Sequence, residues 1–428
     1  LRIRARLVEV ETGTVRHTVQ VDGSIDELFV LQDQVVEAVG AQLGPPGRAT
    51  AAEPASQAPA PAPPVPTQAA VPEEVSLPVY EGPPPPALPE TIARDADGRV
   101  TVRAVRVSEP LSIDGVLDEL GRFVSEVVAP TNRIGDEQGC SVADGVVTVP
   151  DEFKKAWDQY VAAGWGAISQ DPDYGGGVFP GAVQTVLTEL LATANRAWSM
   201  GPMLTLGAVD ALHTFADEGQ KEVFLPRMVS AEWSGTMNLT EPQAGSDVGA
   251  LTTKAVPRDD GTYRIFGSKI FITFGEHELA ENIIQLVLAR TPDSPPGTKG
   301  ISLFIVPKFL VDDDGSLGER NDYMCLSVEH KLGLHASPTC VMSYGESGDG
   351  AVGYLVGEEN QGMRYMFKMM NNARLGVGVE GLAVSERALQ QAAALAQERR
   401  QGRAVGAPAG EQSPIVDHAD VRRMLLTM

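Results

Sequence analysis

Two stretches hold the residues whose types and spacing could do chemistry. Met237 to Gly249 reads MNLTEPQAGSDVG: an extended run over Thr236–Thr240, a proline-closed turn, then Gln243-Ala244-Gly245-Ser246-Asp247. Gly245 carries no Cβ and can take positive φ, so the backbone there can come close to a ligand. Successive N–H groups beside the Ser246 hydroxyl would form a concavity suited to a phosphate or another anion. Taken alone, the same pattern describes an ordinary strand-to-turn connection. The second stretch, Gly267 to Gly275, reads GSKIFITFG and places Phe271 two positions before Thr273. Period-two alternation puts that ring and that hydroxyl on one face of a strand. A flat apolar ring beside a hydrogen-bonding hydroxyl suits a planar aromatic cofactor.

Other chemistries find less support. Gly245-Ser246-Asp247 lacks the G-x-S-x-G spacing of a hydrolase elbow. No Walker A, HExxH or paired CxxC pattern occurs. The formal net charge of −23 offers no basic face to a nucleic acid and reads as a self-repelling cytoplasmic surface. Cys140, Cys325 and Cys340 are an odd, scattered trio without metal-ligand spacing, which argues for a reducing compartment. No apolar run is long enough to span a membrane. The chain begins at Leu1, so a targeting segment could precede it.

Five blocks in fixed order then carry a resemblance. TEPQAGSDV and GSKIFIT are followed by HKLGLHASPTC (330–340), GEENQG (357–362) and NNARLGVGVEGLAVSERAL (371–389). Residues 121–428 resemble the flavin-dependent acyl-CoA dehydrogenase family, and the run KGISLFIVPKFLVDDDGSLGERNDYMCLSVEHKLG is similar to its 3-methylmercaptopropionyl-CoA subgroup. The resemblance implies FAD, an acyl-CoA substrate converted to a trans-2-enoyl-CoA, an electron-transferring flavoprotein, and a homodimer or homotetramer. Met237, Leu239 and Thr240 would run along the flavin ring, and Gly245 and Ser246 would meet its pyrophosphate. Phe271 would lie against the ring and Thr273 would bond its N5. Arg374 would sit beside the substrate, the alternative being a surface salt bridge with Glu380. Arg399 would reach a partner subunit's flavin, although Gly402-Arg403 replaces the usual Phe-Gly. His335 stands where many relatives carry Arg. The catalytic carboxylate of most relatives lies in a later helical region, expected beyond Met428; the alternative place, one residue before Arg374, holds Ala373. The protein as it stands is therefore expected to be inactive.

The elements that must position these residues follow from periodicity. The expected class is α+β: a helical domain over 121–233, a β-barrel or sandwich over 234–355, and the opening of a helical bundle over 356–428. The helical part carries segments at 181–195, 202–216 and 218–229, with Trp157, Trp165 and Trp198 in a core or interface and His213 on an apolar helix face. Strands are expected at 251–256, 262–266, 270–274, 283–289, 301–306, 326–328 and 339–344. After Gly362 the period returns to 3.6, with Val379, Leu382, Leu389, Ala393 and Ala396 as the stripe of a long helix and Met363, Met366, Met369 and Met370 as core filling.

Upstream the composition changes. Residues 1–44 read as a hairpin around Glu11-Thr12-Gly13 and a helix bearing Leu28, Leu31, Val35 and Val39. Residues 45–90 form a linker holding fifteen of the 31 prolines. Residues 91–120 alternate at Val100, Val102, Ala104 and Arg106 and resemble the opening of a carbohydrate-binding sandwich. Both pieces resemble segments of bacterial envelope proteins, so an envelope-associated carbohydrate- or partner-binding protein is the alternative class. Within the flavin class, an acyl-CoA oxidase is another. The abrupt change near residue 120 suggests a composite reading frame.

Overall fold

The structure is a computed structural model that describes residues 2–8, 15–22, 93–94, 100–101 and 113–428, apart from 178, 313 and 314. The chain divides into two units, residues 1–103 and 104–428. In the first, β1 (Arg2–Val8) and β2 (Val15–Asp22) pair antiparallel from Arg2↔Asp22 to Leu7↔His17, the hairpin that the alternation predicts. Two short strands, β3 (Ala93–Arg94) and β4 (Val100–Thr101), also pair. The expected helix at 28–39, the linker, and Val102 to Arg106 lie outside the described residues.

Helical structure in the second unit starts before residue 120. Helix α1 (Ile113–Phe123) runs into a π-turn at Val124–Val128, and its Leu120, Phe123 and Val124 are buried. Val116, Leu120, Phe123 and Val124 have the spacing of one helix face, which the upstream alternation hides. After α2 (Thr131–Gln138), strands β5 (Ser141–Ala143) and β6 (Val146–Thr148) form a hairpin. Asp151 and Glu152 open α3 (Asp151–Ala162), where carboxylates favour the positive end of the helix dipole.

Helix α4 (Gly181–Phe215) joins the two segments expected from the sequence, and its break falls at Asn195, where the first of them is expected to end. Asn195 leaves helical geometry (φ −152°, ψ 96°) and its Oδ1 accepts the Trp198 N–H at 3.2 Å, capping the second half. Its Nδ2 donates to Thr131 Oγ1 at 2.8 Å, so the kink is also tied to α2. Helix α5 (Glu218–Val229) begins with an Asp217/Gln220 capping box. Trp157, Trp165 and Trp198 are core residues, as expected. His213 is not: it lies at the surface, with Nε2 3.0 Å from Asp171 Oδ2 and its ring edge-on to Tyr174.

The sheet runs in the order β14-β15-β9-β16-β11-β10-β7, with β8 also on β9. Its strands are β7 (Trp233–Asn238), β8 (Lys254–Pro257), β9 (Tyr263–Thr273), β10 (Asn282–Ala289), β11 (Ser302–Pro307), β14 (Tyr323–Val328), β15 (Thr339–Tyr344) and β16 (Ala351–Leu355). A separate hairpin joins β12 (Phe309–Val311) to β13 (Leu317–Arg320). All described pairs in the large sheet are antiparallel except β7 with β10. The two strands expected at 262–266 and 270–274 are one strand, β9. Alternation divides two cores: Ile284, Leu286 and Leu288 of β10, with Leu303 and Ile305 of β11, face the helices. Val287, Ala289, Phe304 and Val306 face the inside of the sheet.

Helix α6 (Gly362–Glu398) packs along α4, with Met366 and Met369 fully buried, and α7 (Ala419–Thr427) follows. The predicted stripe is only partly inward. Ala396 is buried, but Leu382 is 60% exposed, because Glu380 and Ala383 occupy the packed face.

Candidate functional site

Strand β7 is an end of the sheet, yet the sheet curls so that β7 and β9 meet. Ile270 N donates to Thr240 O at 2.9 Å, and Thr236 Oγ1 donates to Thr273 O at 2.6 Å. This brings Met237, Leu239 and Thr240 beside Phe271 and Thr273, as the sequence predicts. Thr236 and Asn238 of β7 point inward, leaving Met237 and Leu239 part-exposed on the opposite side.

Phe271 breaks the strand to reach solvent. Met342 pairs with Lys269 and Cys340 with Ile272, so β9 carries one extra residue in this interval. Phe271 sits in that bulge at φ +60°, a conformation that an aromatic residue rarely adopts, and is 58% exposed. Strained residues of this kind persist only where the surrounding structure imposes them, and they concentrate at functional sites.

The glycine-serine turn differs from expectation in one respect. Gly245 does not take positive φ, and a Cβ built there would meet nothing within 4 Å. Neither the backbone nor the packing requires glycine; what its missing side chain leaves is open space above the turn. Gly245 and Ser246 are both exposed, and among the described residues neither makes a hydrogen bond within the protein. Such a turn has donors to offer an anion.

Three charged residues hold this turn in place, and none was singled out from the sequence. Glu241 and Lys269 are buried and paired at 2.8 Å. Glu241 Oε1 also accepts from Thr253 N (3.1 Å) and Thr253 Oγ1 (2.5 Å). Its Oε2 accepts from Thr252 N (2.7 Å), Thr252 Oγ1 (2.9 Å) and Gln243 Nε2 (2.6 Å). Lys269 Nζ reaches back to Leu239 O at 3.0 Å. Burial alone would raise the Glu241 carboxyl, but the Lys269 ammonium and the threonine hydrogen bonds outweigh it and bring it down to about 2. Burial draws Lys269 down to about 8 against the pull of Glu241. At the far end Arg290 fixes the exit: Nε donates to Leu251 O at 3.0 Å and the guanidinium also binds the carbonyls of Gly249, Pro295 and Gly297. The available signal is the Glu in TEP and the Lys in GSK, one charged residue inside each of the two motifs.

A second buried network lies at the end of β9. Glu276 pairs with Lys308 and with Arg320 (3.0 Å), and Lys308 Nζ donates to His277 O at 3.0 Å. His277 is fully buried; its Nδ1 accepts Leu279 N–H at 3.1 Å, which assigns the proton to Nε2, 3.0 Å from Ser234 Oγ. Cys325 and Cys340 are buried on the adjacent strands β14 and β15 rather than scattered, and all three thiols are free. Among the described residues no group of His, Cys, Asp and Glu has the arrangement of a metal site.

The two arginines lie on α6 and at its end. Arg374 lies exposed on α6, bonded to Asn371 Oδ1 at 2.9 Å and stacked 5.1 Å over Phe367. It does not pair with Glu380, which is buried and bonded to Arg196 at 2.7 Å with its second oxygen unpartnered. Arg399 caps α6 and bonds Gln401 at 3.0 Å. At the helical rise it lies about 37 Å from Arg374 along the axis. His335 ties its loop to α2 through the Asp136 carbonyl at 2.9 Å and carboxylate at 3.1 Å.

Family profiles described as the N-terminal and middle domains of acyl-CoA dehydrogenase match residues 114–232 and 236–345. The chain belongs to the acyl-CoA dehydrogenase family. It is 49% identical over 330 residues to the 3-methylmercaptopropionyl-CoA dehydrogenase of Ruegeria pomeroyi, covering 76% of this chain and 55% of that protein. It is 41% identical to a butyryl-CoA dehydrogenase of Syntrophomonas wolfei, covering 73% of this chain and 53% of that one. The structure of butyryl-CoA dehydrogenase from Megasphaera elsdenii superposes with a TM-score of 0.58 at 25% identity, covering 75% of this chain and 76% of that chain. This acyl-CoA dehydrogenase relative thus spans about half the length of the curated proteins it matches. The family match starts at residue 114, one residue into α1, in line with the early start of the helical part.

Proposed function

We propose that this chain is the flavin-seating portion of an acyl-CoA dehydrogenase, in which β7 and β9 hold FAD and an acyl-CoA thioester is the substrate. The observation that carries the proposal is the meeting of β7 and β9, with Phe271 raised by its bulge and a bare glycine-serine turn beside them. When bound, FAD supplies the acceptor for the hydride that leaves the acyl β-carbon. Met237, Leu239 and Phe271 present an apolar platform that keeps water off one face of a planar ring. The hydroxyls of Thr240 and Thr273 suit a heterocycle's polar edge, and Ser246 with the turn amides suits a pyrophosphate. Arg374 exposes a guanidinium suited to a substrate or anionic group, and Arg399 suits a flavin phosphate of a second subunit. Leu375 and Leu382, two turns apart on one side of α6, leave it with exposed apolar surface, which favours a homodimer or homotetramer. The acyl group falls among short chains, either butyryl or methylmercaptopropionyl in size, by analogy with the relatives named above. An electron-transferring flavoprotein as acceptor and a cytoplasmic location, where three thiols stay reduced, belong to the same reading.

The base for α-proton removal is proposed to lie outside residues 1–428. The buried glutamates Glu241, Glu276 and Glu380 are each held by a cation, and Ala373 precedes Arg374. The purified protein should therefore take up FAD, and an added acyl-CoA should leave the flavin absorbance intact. Failure to bind FAD at saturating concentration overturns the seat. Bleaching by an acyl-CoA under anaerobic conditions overturns the missing base.

A further inference from the structure

The flavin seat consists of two separate pieces of chain, and any ring lying across them depends on their relative placement to within a fraction of an ångström. One buried ion pair spans both. Glu241 belongs to the turn piece, where it also forms a bridge with Ala244, and it anchors the returning chain through Thr252 and Thr253. Lys269 belongs to the ring-bearing piece, two residues before Phe271 and directly at the start of the bulge. Its Nζ bonds both Glu241 Oε1 and the carbonyl of Leu239, so a single ammonium touches the platform strand and the turn. The neighbouring Ile270 N–Thr240 O bond continues the same seam.

Stability alone is a poor reason for such a pair. Desolvating two charges offsets most of their attraction, and apolar replacements of buried pairs are often neutral or stabilising. What a buried pair fixes well is register, because six directed hydrogen bonds on one carboxylate allow a single arrangement.

We infer that Glu241 and Lys269 are positioning residues for the flavin: they lock the glycine-serine turn to the Phe271 bulge and so set the geometry of the seat without touching the cofactor. The inference rests on the proposed flavin function. It assigns to the pair a role in cofactor affinity that is separable from folding.

The test uses the full chain and FAD itself, with affinity from quenching of flavin fluorescence and stability from thermal unfolding without FAD. The double variant Glu241→Gln/Lys269→Met removes both charges and leaves no buried charge unpaired. It is expected to melt close to the wild type while binding FAD about tenfold more weakly, the scale on which a supporting shell acts. Wild-type affinity in that variant overturns the inference. Should the double variant not fold, Thr252→Val decides: at an exposed site it removes the hydroxyl's bond to Glu241 and the one it accepts from Gln243, and should weaken FAD about threefold with an unchanged melting temperature. Unchanged affinity there overturns the inference as well. Leu120→Ala, a cavity in the helical core, provides the stability control and should lower the melting temperature without altering FAD affinity at 10 °C or more below it. Loss of affinity in this control, in step with stability, would reduce the pair to a folding element. If the wild type itself binds no FAD, the functional proposal fails and this inference with it, a result distinct from all the others.

Discussion

At the scale of single residues, the role proposed for Gly245 rests on what it leaves empty. Its backbone is ordinary and nothing in the protein occupies the place of its side chain. Gly245→Ala should therefore leave the melting temperature unchanged or raise it slightly, since alanine restricts the unfolded chain by about 0.4–1 kcal/mol. The same methyl group would stand in the space proposed for the pyrophosphate, so FAD affinity should fall. A melting curve and an FAD titration on one variant check both halves, and equal affinity would leave the glycine without a role. Phe271 is the converse case, a residue with a strained backbone and an exposed ring.

Among the elements, the contact of α4 with α6 holds a buried carboxylate with one partner. Burial raises the Glu380 pKa and Arg196 pulls it back only in part. Arg196→Met removes that partner and should cost about 3 kcal/mol near neutral pH, the size expected when one member of a buried pair is lost. Without the guanidinium the folded-state pKa rises further above that of the unfolded chain. Protonation then favours the folded state, so stability is fullest below the ordinary carboxylate range and is lost as pH climbs through the raised value. Urea unfolding of this variant should show a smaller deficit at pH 5 than at pH 7. A deficit independent of pH would mean that lost packing, not the charge, is responsible. The bulge in β9 belongs to this scale too. Period-two reading finds Phe271 and Thr273 on one side, but it cannot register the extra residue that lifts the ring.

For the whole molecule, acid stability should be governed by groups that refuse or lose protons on folding. Burial, followed by the charges of Lys308 and Lys154, lowers His277 from 6.5 to about 3. Between those values the unfolded chain takes up a proton that the folded protein does not, so stability falls as pH falls through that window. Glu241, lowered from 4.5 to about 2, adds to the loss below the ordinary carboxylate range. Guanidinium unfolding followed by tryptophan fluorescence should show this slope, and His277→Gln should flatten its upper part while lowering stability throughout. An unchanged slope in that variant would move the acid sensitivity to another group. All four tryptophans are buried in the second unit, so the signal reports on that unit alone.

The sequence by itself determined the family, the three-part order of helices, sheet and helices, and the residues that line the proposed seat. Motif order and hydrophobic period are local properties, and both can be read along the chain. Tertiary structure alone decided that β7 returns to β9 and that Glu241 finds Lys269. It also decided that Glu380 faces Arg196 and not Arg374, that His213 faces solvent, and that Leu382 lies outside the packed stripe. Each of these depends on which face of an element meets a distant one. Helical or strand periodicity gives the faces, but only the closing of the sheet and the crossing of α4 with α6 assigns a neighbour to each.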